Sequence, residues 1–260
     1  MLCKICGKAT EKEISAKILN KYTADFFKCK NCCFLQTSDP FWLEEAYKNA
    51  LNIEDTGVLQ RNILISKILS VLIFFLYDKN GKFLDYAGGY GIFVRLMRDI
   101  GFDFQWCDKF SQNLLARGFE KQFETYDLLT ALEVFEHFVD PVFELENLLN
   151  ISRNIFFSTQ LLPDKITPPT NWYYYGFQHG QHISFFSLKT FYFLAEKYRL
   201  NFYSNGSTIH LLTEKKINPR IFLFLVKAAR FGLSSFVERS LNSRTLQDSL
   251  NLFSTSRKDQ

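Results

Sequence analysis

Four cysteines open the chain in two pairs, Cys3-x2-Cys6 and Cys29-x2-Cys32. Each short turn aims two thiolates at one point, and two such turns complete the tetrahedral all-sulfur shell that Zn²⁺ prefers. The start, Met1-Leu2-Cys3-Lys4-Ile5-Cys6, has no apolar run before a small-residue cleavage site. A reducing, cytoplasmic setting is therefore expected, and there the pattern argues for metal rather than disulfides. A closed four-sulfur site is structural, because a catalytic zinc keeps a position open. Cys33 adjoins Cys32 and leaves open which of the two is the ligand, while the remote Cys107 reads as core.

A second cluster has different chemistry. Glu133, Glu136 and His137 stand at i, i+3 and i+4, so one helical turn would aim all three one way, and His182 can join them from a later loop. Carboxylate oxygens beside imidazole suit Mg²⁺ or Mn²⁺ better than an all-sulfur cage does. Without a metal, His137 or His182 becomes the proton acceptor and Glu136 its neighbour. The plainer alternative is that Glu136 and His137 only cap a helix. His179 is a nearby, weaker candidate, and His210 reads as an ordinary strand residue. Trp172, Tyr173, Tyr174 and Tyr175 precede His182 and suit either stacking on an acceptor or core packing. Arg61 reads as a structural arginine or as the partner of a carboxylate on a ligand.

The elements that must position these groups alternate. Strand patterns at 82–86, 104–107, 127–132 and 154–159 are separated by helical patterns at 92–100 and 143–150, as a doubly wound α/β sheet requires. A helix at 188–198 and an antiparallel pair, 202–204 with 209–213, close the sheet. Before them lie a short helix at 41–49 and a long one from Val58 to about Tyr77, with Asp55-Thr56-Gly57 as N-cap chemistry. Its apolar run Ile63 to Leu76 contains Lys67 and falls short of the roughly 20 residues of a membrane span, so it reads as a buried helix. The chain has 260 residues, 47% hydrophobic and 22% charged, which excludes disorder and leaves room for one large domain with appendages. The 29 Phe are read as core filling. A formal charge of +4 and a pI of about 8.6 do not point to nucleic acid.

One turn stands where a strand hands over to a helix: Leu84-Asp85-Tyr86-Ala87-Gly88-Gly89-Tyr90-Gly91. It is not G-x-G-x-x-G, and no Walker lysine follows, so dinucleotide and nucleoside-triphosphate readings lose ground. Asp108 ends the second strand, near where an acid binds ribose hydroxyls. Leu84 to Gly91 resembles motif I of the class I S-adenosylmethionine-dependent methyltransferases, Asp108 resembles their ribose-binding acid, and Tyr126 to His137 resembles their fourth strand and following loop. With the four cysteines and Gly180 to Ser187, the chain resembles zinc-ribbon methyltransferases associated with bacterial surface polysaccharide or sugar modification.

The resemblance implies S-adenosylmethionine held by Asp85, Ala87, Gly89, Gly91, Asp108, Phe119 and Glu133. Ala87 stands where the family has its first glycine, and the interval from Gly118 to Tyr126 compresses the third strand. The implied fold is a Rossmann-like methyltransferase sheet at 82–214, with a zinc ribbon at 1–38, a helical connector at 39–81 and a basic helical tail at 215–260. The ribbon is expected to depend on its metal and the larger sheet not. The implied acceptor is a hydroxyl of a sugar, nucleotide sugar or glycan, with Mg²⁺ or Mn²⁺ at Glu133, Glu136, His137 and His182 as in some small-RNA and quinone-biosynthesis relatives. C-methylation of a nucleotide-linked sugar, O-methylation of RNA or a phenol, and cofactor binding without turnover remain open. The tail reads as packed on the domain, on a second subunit or on a membrane surface.

Overall fold

The computed structural model describes residues 1–48, 55–163 and 172–256. In chain order its elements begin with β1 (Thr10–Ile18), β2 (Tyr22–Cys29), β3 (Leu35–Thr37), α1 (Leu43–Ala46) and α2 (Val58–Leu76). There follow β4 (Lys82–Tyr86), α3 (Ile92–Ile100), β5 (Asp103–Cys107), β6 (Leu128–Leu132), α4 (Pro141–Ile151) and β7 (Asn154–Ser158). The last are β8 (Ser184–Phe185), α5 (Leu188–Tyr198), β9 (Asn201–Ser204), β10 (Ile209–Thr213), α6 (Pro219–Ala228), α7 (Leu233–Arg239) and α8 (Thr245–Ser256). Two compact units result: Met1–Asn52 with Ala131–Lys216, and Ile53–Thr130 with Ile217–Gln260. Residues of β6 fall in both.

In the first unit β1, β2 and β3 form an antiparallel meander that β8 completes, with Leu35 opposite Phe185 and Gln36 opposite Ser184. The N-terminal ribbon is thus one sheet with a strand from far along the chain. Phe26, Leu35, Trp42, Trp172, Tyr174, Tyr175 and Phe185 make its core, and the Trp42 indole N–H donates to the Gly180 carbonyl at 2.9 Å. Of the aromatic run only Tyr173, 83% exposed, is open to solvent, so packing rather than acceptor stacking accounts for Trp172, Tyr174 and Tyr175. The Thr190 hydroxyl, in the first turn of α5, donates to the Cys32 carbonyl at 2.8 Å. Strand order continues β6-β7-β10-β9, with β10 antiparallel to both neighbours, so the sheet is mixed.

The second unit carries the order β5-β4-β6, with β4 and β5 parallel and Asp85 opposite Trp106. No strand forms between β5 and β6; a single bridge, Trp106 to Glu120, marks the compressed interval. Helix α2 is long and apolar enough to cross a membrane by length and composition alone. Its Ile65, Ile68, Leu69, Val71, Leu72 and Ile73 are buried, however, and it packs on α3, α6 and α7. The side chain of Asp55 does not cap α2. It pairs instead with Arg61, 2.7 Å from Nη2, which gives that arginine a structural role. The expected helix at 41–49 is reduced to α1, and its end at Asn49 lies outside the described residues, as do 257–260 of the tail.

Candidate active site and metal centre

Strand β4 is buried through Asp85 and hands the chain to α3 through the glycine turn. The Asp85 carboxylate accepts the Thr130 hydroxyl at 2.6 Å, and burial pushes its pKa up to about 7 against that hydrogen bond. A Cβ on Gly88 would come within 2.8 Å of the Asp85 carboxylate, and one on Gly91 within 2.8 Å of Ala116, so both positions exclude a side chain. Ala87 adopts φ +55°, a left-handed conformation that glycine takes at less cost than alanine. Asp108 is the organiser of the turn. Its carboxylate accepts the amides of Gly89 (2.9 Å), Phe110 (2.7 Å) and Ser111 (2.7 Å), while the Trp106 indole N–H donates to the Gly89 carbonyl at 2.8 Å. Phe119 is otherwise engaged: the Arg98 guanidinium lies 3.8 Å from its ring centroid, and Arg98 is paired with Asp103 and with Asp248 of α8. One face of the ring is thus covered by a guanidinium.

In the other unit the chain leaves β6 through Glu133 at φ +54° and turns only at Phe135–His137, a single 3-10 turn. Glu133 therefore does not join Glu136 and His137, against the expectation from their i, i+3, i+4 spacing. Its carboxylate accepts the Ser158 hydroxyl at 2.6 Å, and its own amide donates back to that oxygen. Glu136, His137 and His182 do converge, with ligand atoms within 4.8 Å of one another. Phe135 fixes the turn by stacking on Phe157 at 4.3 Å, and the Ile183 amide donates to the Glu136 carbonyl.

The two imidazoles are oriented by what surrounds Nδ1. His182 Nδ1 lies 2.6 Å from the Tyr174 carbonyl, and His137 Nδ1 lies 3.1 Å from that of Gln181 and 2.8 Å from the Tyr47 hydroxyl. A carbonyl only accepts, so we assign a proton to Nδ1 in both rings. Burial lowers the pKa of His137, favouring the neutral ring. The buried Glu136 carboxylate accepts the Tyr174 hydroxyl at 2.7 Å. Two imidazole nitrogens and a carboxylate, each tied to the backbone or a hydroxyl, fit a divalent cation and equally fit a proton acceptor beside a carboxylate.

Cys3, Cys6, Cys29 and Cys32 gather their sulfurs within 4.8 Å, with Cys3 to Cys32 at 3.5 Å and Cys6 to Cys29 at 3.4 Å. Cys32, not Cys33, belongs to the set. Such close thiols cannot all ionise without a cation among them: the Cys32 hydrogen bond pulls Cys3 down to about 5, and the same contact pushes Cys32 up. The donor set is compatible with tetrahedral zinc.

The family model of a methyltransferase domain matches residues 60–204. The chain belongs to this family. The methyltransferase is similar to the solved plantazolicin methyltransferase BpumL, in complex with a monoazolic desmethylPZN analog and SAH, at 14% identity. That match covers 77% of this chain and 88% of that one, with a TM-score of 0.49. Human N-acetylserotonin methyltransferase in complex with SAM is similar at 14% identity over 68% of this chain and 66% of that one, TM-score 0.40. CalO1, a methyltransferase in calicheamicin biosynthesis, matches at 12% identity over 68% and 60%, TM-score 0.47. A comparison with curated proteins finds no match.

Several residues of the methyltransferase carry roles that their local spacing does not announce. Tyr47 meets His137 from a distant segment, Thr130 reaches Asp85 from the next strand, and Trp106 closes on the glycine turn. A lone Thr in the apolar strand Leu128–Leu132 was a usable signal, since a buried hydroxyl needs a partner. Nothing comparable marks Tyr47.

Proposed function

We propose that the methyltransferase transfers its methyl group to a hydroxyl of a sugar, nucleotide sugar or glycan in the cytoplasm, and that Glu136, His137 and His182 receive that hydroxyl. The observation that carries this reading is the convergence of Glu136, His137 and His182, whose ligand atoms lie within 4.8 Å of one another, with both imidazoles oriented through Nδ1 by backbone carbonyls. When bound, S-adenosylmethionine would supply an electrophilic methyl on a sulfonium, and Asp85, Gly89, Gly91 and Asp108 would hold it. A hydroxyl attacking it must be oriented and must lose its proton as the new bond forms, and a neutral imidazole beside a carboxylate does both. Glu136, His137 and His182 also fit Mg²⁺ or Mn²⁺, which would lower the pKa of a coordinated hydroxyl and favour acceptors with neighbouring hydroxyls. We further propose Zn²⁺ at Cys3, Cys6, Cys29 and Cys32 as a structural ion.

The test is turnover after EDTA treatment and then with Mg²⁺ or Mn²⁺ restored, for wild type and Glu136→Gln, with sugar acceptors bearing or lacking one hydroxyl of a neighbouring pair. Loss and recovery, with Glu136→Gln silent, supports a cation. Full activity in EDTA with the cysteine-bound zinc retained assigns His137 and His182 to proton transfer alone. No methylation of any nucleotide sugar or glycan, with a different acceptor class methylated, overturns the sugar assignment.

A further inference from the structure

We propose that the outer face of α6 and the turn that follows it is a docking surface for an anionic lipid bilayer. The inner face of α6 is already in use: Phe222, Leu225, Val226 and Ala229 are buried, and the helix packs on α2 within its own unit. The outward side chains therefore cannot be turned inward to hide. They are apolar nonetheless. Ile221 is 50% exposed and Phe224 64%, three residues apart on one helical face, and Phe231 at the end of the turn is 87% exposed, the most exposed large apolar side chain among the described residues.

Charge singles out the occupant. Arg220, Lys227 and Arg230 are exposed among these rings, Lys215 and Lys216 precede them, and no Asp or Glu occurs from Lys215 to Val237. A second copy of this chain would bring like charge onto like charge. An anionic interface instead accepts the rings between its acyl chains while the Lys and Arg stems extend to the phosphates. The surface is also preformed. Asn218 caps α6 by accepting the Arg220 amide at 2.9 Å and Pro219 starts it, so little ordering is left to do on binding.

The experiment is flotation of the full chain with vesicles of phosphatidylcholine alone and of phosphatidylcholine mixed with phosphatidylglycerol, at low and high salt. Binding is expected only to the mixed vesicles and should fall as salt rises. Each basic residue at such a surface contributes about fivefold, so Lys227→Gln with Arg230→Gln should weaken binding about 25-fold. Phe224→Ser with Phe231→Ser should weaken it at least tenfold, while affinity for S-adenosylhomocysteine in both double variants stays at the wild-type value and shows them folded. Absence of vesicle binding, or equal binding to neutral vesicles, overturns the proposal. So does light scattering that shows a dimer which Phe224→Ser with Phe231→Ser dissolves.

Discussion

Replacing Asp108 by Asn tests the cofactor turn with minimal change in shape. One carboxylate oxygen accepts the Phe110 and Ser111 amides, both at 2.7 Å, and the other accepts Gly89 at 2.9 Å. The amide oxygen of Asn can serve the first pair, but its NH2 then faces the Gly89 N–H, donor against donor. One hydrogen bond to a charged acceptor is lost, worth about 1.5–3 kcal/mol, and because the site is half-exposed the lower figure applies. That is roughly tenfold in affinity for any ligand that needs the turn in place, and loss of a hydroxyl-accepting carboxylate multiplies it to as much as about a hundredfold. Titration calorimetry with S-adenosylhomocysteine reads the affinity, and urea unfolding in the same buffer reads the turn's share in stability. Asp108→Ala should be worse on both counts. If Asp108→Asn binds with wild-type affinity and unfolds at the wild-type midpoint, Asp108 neither holds Gly89 nor meets the ribose.

Ala87→Gly relieves a left-handed residue by about 1 kcal/mol but adds similar backbone entropy to the unfolded chain, so stability should stay within about 1 kcal/mol and cofactor affinity should hold or improve. Ala87→Val should lose more than about 2 kcal/mol; equal stability of the two variants in urea would refute the strain. Asp85, raised to about 7 by burial, binds a proton in the folded state that the unfolded chain has released above about 4. Its contribution therefore falls as pH rises from about 4 to 7, and Asp85→Asn should gain on wild type across that window by at most about 1.4 kcal/mol per pH unit, then level off; a difference that does not vary with pH in unfolding curves rejects this. Zinc removal, or Cys6→Ser, should loosen 184–190 along with the ribbon, because β3 pairs with β8 and Thr190 holds Cys32. Hydrogen exchange should show it, with S-adenosylhomocysteine binding retained; unchanged protection at 184–190 would refute the coupling.

What could be read from the residues was whatever repeats locally. Strands β4, β5, β7 and β10 and helices α3 and α5 lie within a residue or so of their periodic patterns, and the Asp85 to Gly91 turn stands where its glycines indicate. Strand β8 has two residues, too few for any period, and its pairing with β3 is a long-range event. Glu133 shows the limit of spacing: i, i+3 and i+4 gather only on a helix, and the chain there is a strand end followed by a short turn. The Asp55-Thr56-Gly57 segment looked like a cap, yet Arg61 competes for Asp55 with a full charge. Tyr47 and His137 meet only after folding, so neither residue's neighbourhood in the chain could reveal the other.

The sheet that joins β3 to β8 also sets an order of events during synthesis. Leu35 and Gln36 emerge early from the ribosome, whereas their partners Phe185 and Ser184 follow only after most of the chain has been made. At about 5–20 residues per second that is a wait on the order of ten seconds or more, during which the edge of β3 is open and the four thiols are accessible to oxidants and to other chains. Early capture of zinc by the nascent ribbon would shield the thiols through this interval. Expression under zinc limitation should therefore reduce the yield of soluble chain more than chelation of the finished protein does.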